Sequence, residues 1–381
     1  MAVAHVVGAG IAGLAAALAL HAEGWSVRVF ERSADLRATG GGIGITPNGV
    51  LALDEIGVGR VIRARSVVQL HGGVRTPNGR WLARSSLDFV ERRYGRPILA
   101  LPRTSLVRTL AEALPPGAVE FGARAEPVHL GDRGTPAVLR VGDAELESDL
   151  LVGADGIRSA VRRAIFPQHP GLRSGGSVSW RAIVPARGLM PDAAETWGRG
   201  LRFSVLPLPG DEVHFSALAR IAVRRGADRP HDLFGGWHDP IPLLLERASA
   251  IFFDEIEELT QPLDGFASGR TVLVGDAAHP MTPNVGSANL ALEDAVELAR
   301  ATTPGRPLSG GLARYDEMRR PRTTRLSRMS RWMGRVAELS SPSAVALRNG
   351  GTWLGGFLPE AVSRRSMDTM VGWVPSSQRS T

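Results

Sequence analysis

Val3-Ala4-His5-Val6-Val7-Gly8-Ala9-Gly10-Ile11-Ala12-Gly13-Leu14 stands near the start of the chain, and its reading decides the fold. Ala4 to Val7 is a short apolar run that reads as a buried strand, and Ile11 to Ala22 follows as a helix. Ser26 to Phe30 reads as a second strand ending at Glu31, which closes a strand–helix–strand unit of about 30 residues. Between strand and helix sits G-x-G-x-x-G. Gly8 permits the tight turn, Gly10 lets backbone N–H groups approach a pyrophosphate, and Gly13 lets helix and strand pack closely. The helix N-terminus, with Ala12 in its first turn, offers partial positive charge to phosphates. Glu31, 18 residues beyond Gly13 and next to Arg32, can accept hydrogen bonds from a ribose and repels a 2′-phosphate. The turn therefore binds a dinucleotide other than NADP, and FAD and NAD fit it equally well.

The same stretch, Val3 to Leu20, is apolar enough to imitate a signal peptide or a membrane span. No basic region precedes it and three glycines interrupt it, so a strand, turn and buried helix explain it better. With 381 residues, 43% hydrophobic and 22% charged, the chain reads as a soluble, cytoplasmic globular protein of two or three domains. It contains no cysteine, which excludes disulfides, thiolate metal sites and cysteine nucleophiles. It also contains no lysine, so all 45 cationic side chains are arginine and no mechanism can use a lysine amine. The net charge of +7 implies only a mildly basic surface. No metal site is expected.

Further along, Asp35 to Asn48 is a loop rich in glycine, including Gly40, Gly41, Gly42 and Gly44, and Gly49 to Ile56 reads as a short helix. Residues 67–98 turn strand-like, with an Asn78-Gly79 turn signal, and Arg103 to Leu114 returns to helix. From Gly176 to about Thr260 the pattern is again that of strands, clearest at Trp180 to Val184, Leu201 to Leu206 and Val213 to Leu218. Thr271 to Val274 reads as a buried strand, Ala291 to Ala301 as a helix, and Tyr315 to Leu339 as a long helix carrying Pro321. The expected fold class is α/β. A nucleotide-binding domain is assembled from residues 1–66, 99–175 and 261–340, and residues 67–98 and 176–260 form an inserted mixed β-sheet domain. Residues 341–381 form a helical tail.

Two further motifs discriminate between cofactors. Gly153-Ala154-Asp155-Gly156-Ile157-Arg158-Ser159 follows a buried strand and precedes a helix. Gly275-Asp276-Ala277-Ala278-His279-Pro280 follows another, and continues through Met281-Thr282-Pro283-Asn284-Val285-Gly286 into a helix beginning near Asn289. Together with the first turn and Glu31, these motifs resemble the single-component FAD aromatic hydroxylases, the salicylate hydroxylase type among them. Arg103 in Leu101-Pro102-Arg103-Thr104 and the Trp180-Arg181 strand are similar to that family as well.

The resemblance implies a Rossmann-like FAD domain of the glutathione-reductase type, with FAD bound and NADH or NADPH docking transiently. It implies oxygen transfer from a flavin C4a-hydroperoxide, by hydroxylation or epoxidation of an aromatic or polycyclic small molecule. Gly8, Gly10, Ala12, Gly13, Glu31, Arg32, Gly42, Arg103, Asp155, Asp276, Pro283, Val285, Gly286 and Asn289 would then hold the cofactor. Asp276 would bind the ribityl chain, Arg103 phosphate or ribityl oxygens, and Pro283 would sit beside the isoalloxazine near the reacting oxygen. The substrate pocket would be lined by Trp180, Arg181, Phe203 and Phe215, with His214 placed to assist deprotonation of a phenol. His279 reads as structural.

One departure stands in the third motif. Gly286-Ser287-Ala288-Asn289 is one residue shorter than the family's Gly-x-Gly-x-Asn. A helix absorbing the loss would rotate by roughly 100°, and Leu290, Leu292, Val296 and Leu298 must still pack, so the loop is expected to take it up. Arginines 319, 322, 325, 328, 331 and 335 share a broad helical face, read as solvated rather than as a nucleic-acid surface. A flavin reductase without oxygen transfer and a non-catalytic FAD-binding protein are the rival functions. Halogenase chemistry of the usual kind needs a lysine that is absent.

Overall fold

The computed structural model describes residues 1–36, 41–189, 191–224, 226–356 and 360–378. Gly40 of the Gly-rich loop lies outside them.

The Val3–Val7 strand runs down the middle of a six-stranded sheet. The order is 267–268, 271–273, 150–153, 3–7, 26–31, 119–121, and all pairs but the hairpin 267–273 are parallel. Register sets Val7 opposite Gly153 and Gly153 opposite Leu273. The turns following these three strands therefore open side by side at the carboxyl edge, where open α/β sheets bind ligands. The strands are nearly all apolar because helix Ile11–Ala22 and a three-stranded antiparallel sheet of 125–129, 137–141 and 144–148 pack on them. Helix Ile11–Ala22 is buried along most of its length and packs on helix Ser287–Ala301.

A seven-stranded sheet forms a second layer, in the order 252–259, 172–185, 212–220, 201–208, 194–197, 71–75, 81–86. It is antiparallel except between 194–197 and 71–75. The alternation of a strand gives it two distinct faces. Val178, Trp180, Ala182, Phe203, Phe215 and Ala217 point to one side and form a separate core with Phe234, Ile241 and Leu244. Arg181, Arg202, Ser204, His214 and Ser216 alternate with them on the other. A three-stranded sheet of 42–45, 99–102 and 67–68 links the layers.

The stretch 221–246 differs from the strand-like expectation: it carries short helices at Ile221–Arg224, His231–Phe234 and Ile241–Glu246. Each is too short to show a helical period; the second is fixed by packing Phe234 onto the sheet and the third by packing Ile241 and Leu244. The long helix is Leu308–Ala337, starting a full turn and more before the expected Tyr315 and passing through Pro321. Helices Pro342–Gly355 and Glu360–Val371 follow it. Among the described residues no helix is long and apolar enough to cross a membrane.

Candidate active site

Glycine is required where the three turns meet. Gly8 has φ +104°, and a Cβ there would lie 2.5 Å from the Ala154 carbonyl oxygen. A Cβ on Gly13 would lie 1.9 Å from the Gly8 carbonyl oxygen, and one on Gly275 would lie 2.7 Å from the Ala12 methyl. A Cβ on Gly10, in contrast, would meet nothing within 4 Å. The glycines thus press the three motifs together while Gly10 faces open space at the start of helix Ile11–Ala22. The N–H groups of that first turn have no partners within the helix. This shape fits a dinucleotide.

Glu31 accepts from Ala9 N at 2.9 Å through Oε2 and from Ser33 N at 2.8 Å through Oε1. Its carboxylate holds the turn in shape, and each oxygen keeps a further lone pair. Arg32 is exposed beside it. Asp155 accepts from Ala160 N at 2.6 Å, Val161 N at 3.2 Å and the Ser159 hydroxyl, so it caps helix Ala160–Ile165. Its carboxylate shapes the second turn from within. The Arg162 guanidinium, which sequence reasoning missed, reaches from that helix to the carbonyls of Asp276 at 3.2 Å and Ala277 at 2.9 Å.

Arg103 and Asp276 are different in kind. Among the described residues no hydrogen bond engages the side chain of either one. Burial lowers the Arg103 guanidinium from its usual value, an effect countered by the charge of Asp276 and reinforced by that of Arg181. Its backbone N–H is fixed on the Gly41 carbonyl at 2.9 Å. A partly desolvated cation and carboxylate without hydrogen bonds, held near each other, suit a ligand that supplies both donors and acceptors. A ribityl chain and its phosphate have that donor set.

The third motif rests on a buried ionic network that the sequence did not reveal. Asp294 Oδ2 accepts from Gly275 N at 2.9 Å and bonds His279 Nε2 at 2.6 Å, while Oδ1 accepts from Arg319 Nε at 2.7 Å. Glu293 accepts from Arg319, from Arg322 and, at 2.6 Å, from Asn48 Nδ2. Glu293, Asp294 and Arg319 are at most 1% exposed. Burial alone would raise the Asp294 carboxyl, but the charges of His279 and Arg319 hold it well below the usual carboxylate range. Of the arginine row, Arg319 is therefore interior, Arg322 and Arg331 are ion-paired to Glu293 and Glu258, and Arg325, Arg328 and Arg335 face solvent.

The shortened loop is closed by Gly286 in the left-handed conformation (φ 75°), which caps helix Ser287–Ala301. Leu290, Leu292, Val296 and Leu298 are all buried, so the loop takes up the missing residue and the helix keeps its face. Asn289 is 1% exposed, with Oδ1 accepting from Thr46 N at 3.2 Å and Nδ2 donating to Gly44 O at 3.1 Å. Its side chain braces the Gly42–Ile45 strand. Val285 packs beside the small cluster of Met281, Leu290 and Leu326, whereas Pro283 and Gly286 are exposed.

The expected substrate pocket needs correction. Trp180, Phe203 and Phe215 are at most 1% exposed and lie in the second sheet's own core, Phe203 stacked on Phe215 at 5.2 Å. Strand alternation turns them away from the flavin motifs. Arg181 lies on the other face, bound to Asp254 and within electrostatic reach of Arg103. His214 shares that face but is 9% exposed, and a Cβ on Gly42 would lie 2.6 Å from its Cβ. Its Nδ1 donates to the Ala182 carbonyl at 3.1 Å, and burial, reinforced by Arg181, pushes the imidazole down to about 4. A buried imidazole of that basicity, wedged against Gly42, is a poor general base.

A pocket of about 510 Å³ opens instead beside Pro283. It is lined by Arg202, Leu218, Ile256, Pro283, Asn284 and Arg335, among others. Arg202 is 4% exposed, donates to Asn284 Oδ1 at 2.5 Å and leaves its buried Nε without a partner among the described residues.

The parallel sheet with its crease of three turns, and the second sheet inserted beside it, define a flavin-dependent α/β oxidoreductase. The chain belongs to the FAD-binding domain family, whose model matches residues 1–195 and 254–330. It is 34% identical over 355 residues to the aurachin C monooxygenase/isomerase of Stigmatella aurantiaca, covering 90% of this chain and 91% of that one. It is 36% identical over 349 residues to the 3-amino-4-hydroxybenzoate 2-monooxygenase of Streptomyces cremeus, covering 87% and 86%. The structure of Klebsiella pneumoniae HpxO with FAD and uric acid superposes with a TM-score of 0.87 at 25% identity, covering 97% of each chain. With these relatives, the chain is an FAD-dependent monooxygenase.

Proposed function

We propose that this enzyme uses NAD(P)H and O2 to hydroxylate an aromatic or heteroaromatic small molecule bound in the pocket beside Pro283. The observation that carries this reading is the pair Arg103 and Asp276, without side-chain hydrogen bonds among the described residues at the joint of three motifs, together with a pocket of about 510 Å³ lined in part by Pro283. Bound FAD supplies hydride acceptance and oxygen activation. The chain supplies the placement. N–H groups of the Gly8–Gly13 turn and helix dipole receive the pyrophosphate, Arg103 pairs with phosphate or ribityl oxygens, and Asp276 accepts from ribityl hydroxyls.

The N-terminus of helix Ser287–Ala301 aims partial positive charge at the loop of Pro283 and Gly286, where it favours an anionic ring edge. Arg202 lines the pocket as a cation for an oxygen of the substrate and, through Asn284, fixes the Pro283 loop against the second sheet. His214 acts as a strut. We assign the enzyme to the cytoplasm, where NAD(P)H is supplied.

The test is to load the purified protein with FAD and screen aromatic acids, phenols and quinolones for stimulated NAD(P)H oxidation under ¹⁸O2. Label in the product is the expected result. Stimulated oxidation that never places label in any product would replace this reading with that of a reductase.

A further inference from the structure

With His214 serving as a strut, the Pro283 pocket still needs a group that can take a proton from a substrate. Its walls hold two carboxylates in different states. Glu258 is spent on ion pairs with Arg173 and Arg331, each at 2.8 Å. Glu338 is 9% exposed, and the one side-chain hydrogen bond it makes among the described residues is accepted by Oε2 from the Ser177 hydroxyl. Oε1 has no partner among them and keeps accessible surface. No ion pair reaches Glu338 from Arg202, Arg220 or Arg335, the other arginines of the wall, among the described residues.

Helix geometry gives a carboxylate no task at this position. Glu338 closes the C-terminal end of helix Leu308–Ala337, where the dipole favours cations, and Arg348 already donates to the Ala337 carbonyl at 2.6 Å. Its placement, in contrast, suits the pocket. Gly334, one turn earlier on the same helix face, lies so close to the Pro283 loop that an added Cβ would be 2.8 Å from Asn284 Nδ2. Ser177, which anchors Glu338, pairs with Arg220 in the second sheet, on the face that strand alternation assigns to Arg202.

We propose that Glu338 is a catalytic residue, the acceptor for the proton of a phenolic hydroxyl on the substrate; this rests on reading the Pro283 pocket as the substrate site. The hydroxyl donates to Oε1 in the complex. As the ring reacts, the O–H bond breaks, its proton bonds to Oε1 and the electron pair stays on the ring oxygen. The proton returns to that oxygen once the new C–O bond is made, so none is gained or lost. Ser177 holds Oε2 and so fixes the direction of Oε1, while Arg202 offers its charge to a second oxygen of the same ligand. The substrate class is therefore an aromatic carrying an ionisable hydroxyl, rather than a ring with acceptors alone.

The experiment uses FAD-loaded protein and two probes, 4-nitrophenol and its methyl ether 4-nitroanisole, which has no proton to give. Equilibrium dialysis should show the phenol bound tenfold or more tightly than the ether, as one hydrogen bond to a charged acceptor implies. Glu338→Ala should abolish that preference while the flavin spectrum, which reports folding, stays intact. Glu338→Gln keeps the shape and the Ser177 bond. It should lower kcat for 4-methylphenol about 100-fold, the usual worth of a general base, and lower it far less for 4-nitrophenol in mildly alkaline buffer, which arrives ionised. No saturable binding of 4-nitrophenol, equal binding of phenol and ether by the parent, a preference that survives Glu338→Ala, or equal loss of kcat for both phenols would overturn the proposal. A parent that prefers the phenol yet never places label from ¹⁸O2 in a product overturns the proposed function instead, and leaves Glu338 as the acceptor of the bound hydroxyl.

Discussion

Arg319 Nε lies 2.7 Å from Asp294 Oδ1, in a helix-to-helix ion pair from which water is excluded. The other oxygen of the same carboxylate holds the Gly275 N–H at 2.9 Å. One buried aspartate thus connects the long C-terminal helix to the turn that presents Asp276. Asp294→Ala leaves Arg319 buried beside Glu293 alone and frees His279, which costs about 3–5 kcal/mol. Chemical denaturation should register that loss. Asp294→Asn, which keeps the size and an acceptor for Gly275, should retain more of the stability than Asp294→Ala.

Arg103→Ala removes a cation whose side chain no described residue hydrogen-bonds. The apoprotein should be as stable as the parent or more so, since a partly desolvated charge is relieved. Flavin should bind about 10–100-fold more weakly, as befits loss of one charged hydrogen bond of about 1.5–3 kcal/mol. Fluorescence titration with FAD measures the second effect and thermal melting of apoprotein the first. A large drop in apoprotein stability would mean that Arg103 is structural.

The two faces of the second sheet make separable predictions. Phe215→Ala opens a cavity in the core of Trp180, Phe203 and Phe234 and should cost about 3–5 kcal/mol, with little change in the preference among substrates. Arg202→Leu should do the opposite, with modest loss of stability and KM for an oxygen-bearing substrate raised tenfold or more. Equal shifts in substrate preference for the two variants would return Phe215 to the pocket.

Two buried histidines set an acid limit. Burial, with Arg28 adding to it for His5 and Arg181 for His214, pushes both imidazoles from 6.5 down to about 4. Between those values the unfolded chain binds protons that the folded chain does not. The stabilisation is therefore complete above pH 6.5 and declines as pH falls towards 4, by up to about 1.4 kcal/mol per pH unit for each residue. Urea midpoints across that range should slope accordingly, and His214→Gln should flatten the slope.

Gly286 tests the shortened loop. It sits at φ 75°, and an added Cβ would lie 2.7 Å from Asn289 Nδ2. Gly286→Ala should strain the cap and dislodge the Asn289 brace on Gly44 and Thr46. A reduced flavin content with the fold kept, seen in the absorbance ratio of purified protein, is the expected outcome.

Much of this was legible in the sequence because it is local. The Val3–Gly13 strand and turn, the Asp155-Gly156 motif and the Gly275-Asp276 motif each announce a strand leading into a glycine turn. The glycines record backbone approaches that only glycine allows, and the family resemblance follows from their order. The direction of side chains across a sheet was beyond reach. Trp180, Phe203 and Phe215 look like pocket walls because they are large and lie near Arg181 and His214, yet a shift of one residue reverses a strand side chain. Which face meets the flavin side is decided by helices His231–Phe234 and Ile241–Glu246 covering the other one. Arg319 looked solvated because its partners, Glu293 and Asp294, lie 26 and 25 residues away on another helix. Sequence alone determined the cofactor class, since backbone geometry around a phosphate demands particular residues at fixed spacing. Only the tertiary structure decided which charges are buried and which face forms the pocket, because those depend on what packs opposite each residue.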